Sequence, residues 1–132
     1  MEISEDGVIT GMLLKCGVPN ANGVVYTTEN TKEAIKEFKA DSLFGTVGST
    51  NFDGVGIDRY SHVVTKIEEC ANGDIVLEAK ILPTRYGSLL EKMIKNKTPL
   101  RVGRRGSGII KEVDGQKIVT EYKLVGIDFL ID

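Results

Sequence analysis

The sequence predicts an α+β fold in which a small antiparallel β-barrel, or closed sheet, carries about two helices. Short runs of alternating or β-branched residues recur along the whole chain, and turn signals such as Asn-Gly and Asp-Gly separate them. Apolar residues instead follow a helical spacing near residues 30–39 and 86–95. Because 132 residues suffice for one core, we expect a single domain over 1–132.

The N-terminal part is expected to hold an arm, a strand and a turn. Residues 1–6 are acidic and carry little apolar surface, which predicts a flexible N-terminal arm. Residues 7–18 are rich in β-branched and aliphatic side chains and suit an opening strand. The Pro-Asn-Ala-Asn-Gly stretch at 19–23 predicts a turn, and residues 24–26 form a short extended piece after it.

The first helix is expected to begin near Thr28 or Asn30. Glu33 lies at the capping-box spacing from Asn30, and an apolar stripe on the following turns carries the helix to about Lys39. Residues 45–58, which contain four glycines among polar residues, are expected to form a loop.

The rest of the chain is expected to contain two pairs of strands with a helix between them. Asn-Gly-Asp at 72–74 and Asp-Gly at 114–115 supply the two turns. A proline closes the second strand before the helix begins. The expected strands are 61–68, 75–82, 103–111 and 117–130, and the expected helix is 86–95.

Charge and composition exclude several classes of function. The formal net charge of −2 gives no overall attraction to nucleic acid or to an anionic membrane. No long apolar run follows the N-terminus, so we expect neither a signal peptide nor a membrane anchor, and synthesis in the cytoplasm. Cys16 and Cys70 lack metal-type spacing and are expected to be reduced thiols. We expect no metal and no cofactor.

Three motifs give the chain a family resemblance. Residues 20–26 read Asn-Ala-Asn-Gly-Val-Val-Tyr, residues 103–108 read Gly-Arg-Arg-Gly-Ser-Gly, and residues 124–128 read Leu-Val-Gly-Ile-Asp. Together they resemble the prohead (head maturation) serine proteases of tailed phages. The resemblance runs from about residue 11 to the last residue and implies a prohead-protease-like fold.

The chain departs from this family at the positions that carry catalysis. The family has Ser-Ser-Arg-Gly-x-Gly where this chain has Gly103, Arg104 and Arg105 before a matching glycine. The family histidine, in a Gly-x-x-x-His segment, aligns with Ser49. Ser49, Gly103 and Arg105 are therefore expected to be the degenerate equivalents of an active site, and we expect no catalytic residue there.

A displaced Ser/His pair is the alternative that leaves the chain an active serine endopeptidase. Serine proteolysis needs a hydroxyl within hydrogen-bond reach of a base. His62 is the single histidine, and Ser107 is the serine on the motif strand. Ser107 lies about 13 Å beyond Gly103 on an extended strand, at roughly 3.3 Å per residue. A lone imidazole without a placed partner is weak evidence for a base, so we interpret His62 as an ordinary, half-exposed strand histidine.

The arginines of the motif strand are candidate binding residues. Arg101, Arg104 and Arg105 form a basic cluster that suits phosphate or an acidic protein, although a solvated charged face is the simpler interpretation. Arg105 has two possible roles, which are stabilising an oxyanion and pairing with an acid such as Asp128. Pairing is favoured, because no nucleophile remains beside Arg105.

The leading hypothesis is a catalytically inactive phage virion protein. It would act by protein–protein binding as a capsid decoration protein, a cement protein or a minor head protein. The expected partners are the major capsid protein or other virion proteins, with self-association as a further possibility, and the expected location is the phage head. Two alternatives stay open: an active maturation protease using Ser107 and His62, and a head protein that binds nucleic acid through the arginine cluster.

Overall fold

The structure, a computed structural model, describes residues 1–20, 22–38, 42–48 and 57–131. Within these ranges the chain forms β1 (Glu2–Ile3), β2 (Val8–Leu14), β3 (Val24–Val25), α1 (Thr28–Lys36), β4 (Leu43–Gly45), a 3₁₀ turn (Ile57–Arg59), β5 (His62–Glu69), β6 (Ile75–Ile81), α2 (Arg85–Lys95), β7 (Leu100–Val113) and β8 (Gln116–Ile131).

The strands form two sheets. The first contains five strands in the order β1-β2-β6-β5-β4, and every neighbouring pair in it is antiparallel. The second contains three strands in the order β3-β8-β7, with β7 antiparallel to β8 and β3 parallel to it. The expected α+β class is confirmed, since the helices connect strands of mostly antiparallel sheets.

One short segment joins the two sheets. β4 pairs with β5 in the first sheet, and the chain then runs alongside β8 of the second. The Phe129 amide donates to the Thr46 carbonyl (2.9 Å), and the Gly48 amide donates to the Phe129 carbonyl (2.8 Å). Residues 43–48 therefore hydrogen-bond to both sheets and hold them together at this side of the molecule.

The expected closure of the sheet into a barrel is wrong. Among the residues that the structure describes, no strand ladder joins β2 to β7. β1 covers only Ile9 and Thr10 on the outer edge of β2. The remaining edge of β2 faces β7 across an open groove of about 720 Å³. A closed barrel needs hydrogen-bonded strand pairs around its whole circumference, and the described residues form no such pair between β2 and β7.

The two sheets and both helices enclose a shared hydrophobic core. α1 contributes Ala34 and Ile35, and α2 contributes Leu90 and Ile94, in each case from the apolar stripe of the helix. The strands contribute their inward-facing residues, of which the fully buried ones include Ile9, Met12, Ile75, Leu77, Ala79, Ile127 and Phe129.

Threonines begin both helices. Thr27 caps α1 by accepting from the Asn30 amide (3.1 Å), and Thr84 caps α2 by accepting from the Gly87 amide (2.9 Å). The expected caps of α1 were Thr28 and Asn30. Thr28 instead lies in the first turn and donates its hydroxyl to the Gly73 carbonyl. The helix cap therefore lies one residue before Thr28, and three residues before the Asn30 that the capping-box glutamate indicated.

Several other expectations concern the loops and the termini. Only the two ends of the expected 45–58 loop are described. β4 ends at Gly45, where this segment begins, and the 3₁₀ turn lies where it ends, whereas residues 49–56 lie outside the described ranges. Part of the expected arm at 1–6 is strand β1. Cys16 and Cys70 are free thiols. No helix in the described part of the chain is long and apolar enough to cross a membrane.

Candidate functional site

The motif segments at residues 45–48 and 103–108 approach each other across β8. Gly103 on β7 pairs with Asp128 on β8, and Val47 bridges to Phe129 at the opposite edge of β8. One strand therefore separates the two motif segments, which corresponds to about 10 Å at the usual spacing between strands. Ser49 itself lies outside the described residues.

A buried ion pair occupies the centre of this region. Arg105 Nε donates to Asp128 Oδ2 (2.9 Å), and its Nη2 donates to Asp128 Oδ1 (3.3 Å). Asp128 Oδ1 also accepts from the Thr46 amide (2.9 Å). The two charged side chains are only 9% and 6% exposed. The pairing favoured by the sequence is present, and it fixes the guanidinium through two hydrogen bonds to one carboxylate.

The glycines of the motif strand differ in how much room they have. A Cβ atom at Gly106 would lie 2.2 Å from the Lys123 carbonyl oxygen, so the backbone of β8 leaves space only for glycine. At Gly103 the nearest atom to a Cβ would be Leu130 Cδ1, at 2.7 Å. The end of a leucine side chain can rotate away, whereas a backbone carbonyl cannot. Gly106 is therefore required by the fold, and Gly103 is replaceable.

Arg104, which was expected from the sequence to align with the second family serine, is held by packing. Its guanidinium lies 4.2 Å from the ring centre of Tyr26 and donates to Thr31 Oγ1 (2.8 Å) and to the Lys15 carbonyl (3.1 Å). Tyr26 also packs edge-on against Tyr122, at 5.1 Å between ring centres. These contacts connect β7 to α1 and to the end of β2, so much of the hydrogen-bonding capacity of Arg104 is already used.

Asn20 of the first motif shapes the turn that leads to Tyr26. Its Oδ1 accepts from the amides of Asn22 (2.9 Å) and Val24 (3.0 Å). A side-chain oxygen that binds backbone amides two and four residues ahead fixes the turn. Asn20 and Tyr26 thus have structural roles in this chain, because they position the loop and the arginine beside it.

His62 lies in the core. Its Nε2 is 2.7 Å from the Ile127 carbonyl oxygen, so Nε2 carries the hydrogen and Nδ1 accepts from the Ser61 hydroxyl, also at 2.7 Å. The ring is fully buried and packs edge-on against Phe129. The half-exposed environment inferred from the sequence is wrong, since β8 covers this face of β5. Burial lowers the pKa of His62 to about 4.

The structure does not bring His62 and Ser107 together. Both ring nitrogens of His62 are engaged within the core. Ser107 is exposed and pairs with Lys123, beyond the register shift at Gly106. A general base must reach the hydroxyl that it deprotonates. In this structure the hydroxyl that hydrogen-bonds to His62 is that of the buried Ser61.

The stability of the fold should fall in mild acid because of His62. The pKa is about 4 in the folded chain against an ordinary 6.5, so the unfolded chain binds a proton more readily. This loss begins as the pH falls below about 6.5, and it reaches about 3 kcal/mol once the pH is below the folded pKa. Urea unfolding of the native chain and of His62→Gln between pH 8 and 4 measures it. The free energy of unfolding of the variant should depend less on pH than that of the native chain. Parallel profiles would show that His62 does not cause the loss of stability in acid.

The basic cluster is divided between the ion pair and the groove. Arg105 faces Asp128, whereas Arg101 and Arg104 line the groove between β2 and β7 together with Lys15. Arg101 and Lys15 are exposed. Of the described residues that line the groove, none is acidic. The sequence pointed to the arginines but not to Lys15, because nothing in it places the end of β2 beside β7.

One of three comparisons with known proteins found a similar protein, and it is a solved structure. No protein-family model matches the sequence, and no curated protein matches it. The fold is similar to that of the capsid assembly protease gp21 of bacteriophage T4, with a TM-score of 0.81 and 21% sequence identity, over 95% of this chain and 81% of that one. The prohead-protease-like fold expected from the motifs is thereby confirmed.

Proposed function

We propose that the chain is a phage head protein that binds other head proteins and cleaves none of them. The observation that carries this proposal is the replacement of both motif serines, by Gly103 and Arg104. Without a hydroxyl at these two positions, nothing stands where the family places its nucleophile. The roles that suit such a protein are capsid decoration, capsid cement and minor head component.

The environment of the remaining polar groups supports a loss of catalysis. His62 is neutral, buried and engaged at both nitrogens, which leaves no imidazole for a base in the described part of the chain. The charge of Arg105 is neutralised by Asp128 at 2.9 Å. Oxyanion stabilisation needs donors that point at the developing charge, whereas Nε and Nη2 of Arg105 point at the Asp128 carboxylate.

The proposed partners follow from the structural likeness. The T4 protein of similar fold is a capsid assembly protease. A protein with that fold and without a nucleophile retains a surface suited to contact with capsid proteins, so the major capsid protein is the first partner to test. The N-terminal residues 1–6 and the 45–58 segment are the proposed docking elements, and self-association is a second possibility.

The purified chain should bind the capsids of its own phage and leave their proteins uncut. The test incubates the chain with its coat and scaffold proteins, sediments the particles and resolves the products by mass spectrometry, with a fluorophosphonate probe for activated serines. We expect co-sedimentation, intact partners and no probe labelling. Specific cleavage that Ser107→Ala abolishes would instead establish the protease alternative, and failure to bind any head protein would end the proposal.

A further inference from the structure

The far end of the β7–β8 hairpin, residues 106–117, is a two-stranded ribbon with little cover. Every residue of this ribbon is exposed, so both faces of its β7 strand are open to solvent. β3 pairs with β8 only at Lys117 and Ile118. Among the described residues, the outer edge of β7 has no strand partner, and the groove lining along β7 ends at Arg104. Since two strands alone are marginally stable in water, a strand added to this edge would stabilise the ribbon.

The ribbon carries apolar side chains on both of its faces. Ile109, Ile110 and Val113 are 50%, 54% and 48% exposed. Successive residues of a strand point to opposite faces, so Ile109 and Val113 share one face and Ile110 lies on the other. A monomer usually protects a free strand edge with proline, with bulges or with several charges. Residues 107–113 contain no proline and only one lysine and one glutamate.

The free edge of β7 is also regular. Both register shifts in the hairpin leave the extra residue on β8, at Val125 and within residues 121–122. A bulge bends the strand that contains it and so blunts that strand as a pairing edge. β7 has no extra residue and pairs with β8 without a shift from Ile109 to Val113. Its outer edge is therefore a continuous template for another strand.

The charges of the ribbon suit an identical copy. Residues 106–117 contain two basic and two acidic side chains, so their net charge is zero. A strongly charged ribbon would repel its own copy, whereas a neutral one does not. Of these four side chains, only Lys111 and Glu112 lie on β7, next to each other. They are therefore the two charges that decide how two β7 edges can align.

A two-fold axis between two copies of β7 has few registers to choose from. Residues opposite each other in a sheet point to the same face, so the axis must set one residue opposite its own copy. An axis at Lys111 or at Glu112 would set like charges directly opposite each other, which is destabilising. An axis at Ile110 sets that residue against its copy and Ile109 against the aliphatic stem of Lys111. Glu112 then lies opposite Gly108, so no like charges are directly opposed.

We propose that the ribbon is a dimerisation surface, on which a second copy of the chain adds its own β7 edge in antiparallel register about a two-fold axis at Ile110. The axis lies at the centre of residues 107–113, so all of these residues pair. The three-stranded sheets of the two copies then become one sheet of six strands. The inference rests on the proposed function only in taking self-association as one of the interactions of the chain.

Sedimentation velocity of the purified full chain, over a range of micromolar concentrations, tests for the dimer. We expect a monomer–dimer equilibrium that Ile110→Lys weakens at least about tenfold, because two ammonium groups would then be opposed. The matched control Ile67→Lys makes the same change on an exposed position of β5, 42% exposed, and should alter dimerisation less than about twofold. A native chain that stays monomeric, or an Ile110→Lys variant that dimerises as tightly as the native chain, would overturn the proposal.

A second variant covers the case in which Ile110→Lys unfolds. Ile109→Lys would lie opposite Lys111 of the other copy and should weaken the dimer for the same reason. Its side chain is half-exposed, so the fold of one copy should tolerate the change. A folded Ile109→Lys variant with native dimerisation would overturn the proposed surface.

Cysteine crosslinking tests the register, in a Cys70→Ser background that leaves only the buried Cys16. Ile110→Cys would lie opposite its own copy, about 4.5–5.5 Å away between Cα atoms, which a disulfide can span. Val113→Cys is similarly exposed, but its copy would lie about 20 Å further along the strand. Oxidised glutathione should therefore link two copies of the Ile110→Cys variant and not of the Val113→Cys variant.

Two results would overturn the register: no disulfide dimer of Ile110→Cys, or equal crosslinking of both variants. All of these measurements use the purified chain without capsids. A negative result would therefore overturn the dimerisation surface alone, whereas the proposed function fails on the separate test with capsids.

Discussion

Arg105→Leu should destabilise the fold by about 3–5 kcal/mol, the usual cost of removing one partner from a buried ion pair. Asp128, which is 6% exposed, would keep its bond from the Thr46 amide but lose both bonds from the guanidinium. Water cannot easily replace them at such burial, so the free energy of unfolding falls. Urea denaturation at pH 7 measures the change, with Lys111→Leu as the exposed control, expected within about 0.5 kcal/mol of the native chain.

A double-mutant cycle separates the charge from the packing. Asp128→Asn keeps an oxygen for the Thr46 amide and removes the negative charge. Arg105→Leu should therefore cost clearly less when it is made in the Asp128→Asn background than in the native chain. Equal costs in the two backgrounds would mean that Arg105 stabilises the fold through its aliphatic stem or its other contacts. The ion pair itself would then contribute nothing measurable to stability.

Gly45→Ala should cost about 3 kcal/mol or more, at or above the usual upper end for overpacking. A Cβ atom at this position would lie 1.7 Å from the Ile127 carbonyl oxygen and 2.4 Å from His62 Nε2. The methyl group would therefore force β4 away from β8 and break the hydrogen bond between His62 and Ile127. Thermal unfolding should show a large fall in Tm, together with increased hydrogen exchange in β8.

Gly103→Ala is the matched control for this change. It is the same substitution on a strand, but its new methyl group would meet only the end of the Leu130 side chain. Its cost should be below about 1 kcal/mol, since the unfolded chain also loses entropy when alanine replaces glycine. If the two variants proved equally stable, β4 and β8 would not be packed as closely as the structure shows.

Local sequence patterns predicted most of the elements. Alternation identified β5 and β6, and the turns at Gly73 and Gly115 lie where the Asn-Gly and Asp-Gly signals placed them. The apolar spacing located α2 to within one residue. Short elements escaped, however. β4 has only three residues beside a glycine-rich stretch, which is too short for a periodic pattern.

The site depends on contacts that no local pattern encodes. The alternation around His62 gives the face of the strand on which its ring lies, but it does not show that β8 covers that face. The groove escaped for the same reason, since Lys15 and Arg101 come from strands distant in the sequence. The pairing of Arg105 with an acid such as Asp128 was expected because no nucleophile remains beside the arginine. The structure adds the physical reason, since a buried arginine needs an acid partner.

The packing of β8 against residues 46–48, through which the two sheets are joined, has a consequence for how the chain folds. Asp128 binds the Thr46 amide 82 residues away, and the Val119 carbonyl binds Asn30 across 89 residues. On the ribosome, the earlier strands must wait until β8 emerges, and until then His62 and residues 46–48 lack their partners. Contacts between such distant residues require large loops to close, which slows folding. The docking of β8 is therefore expected to be a late and slow step of folding.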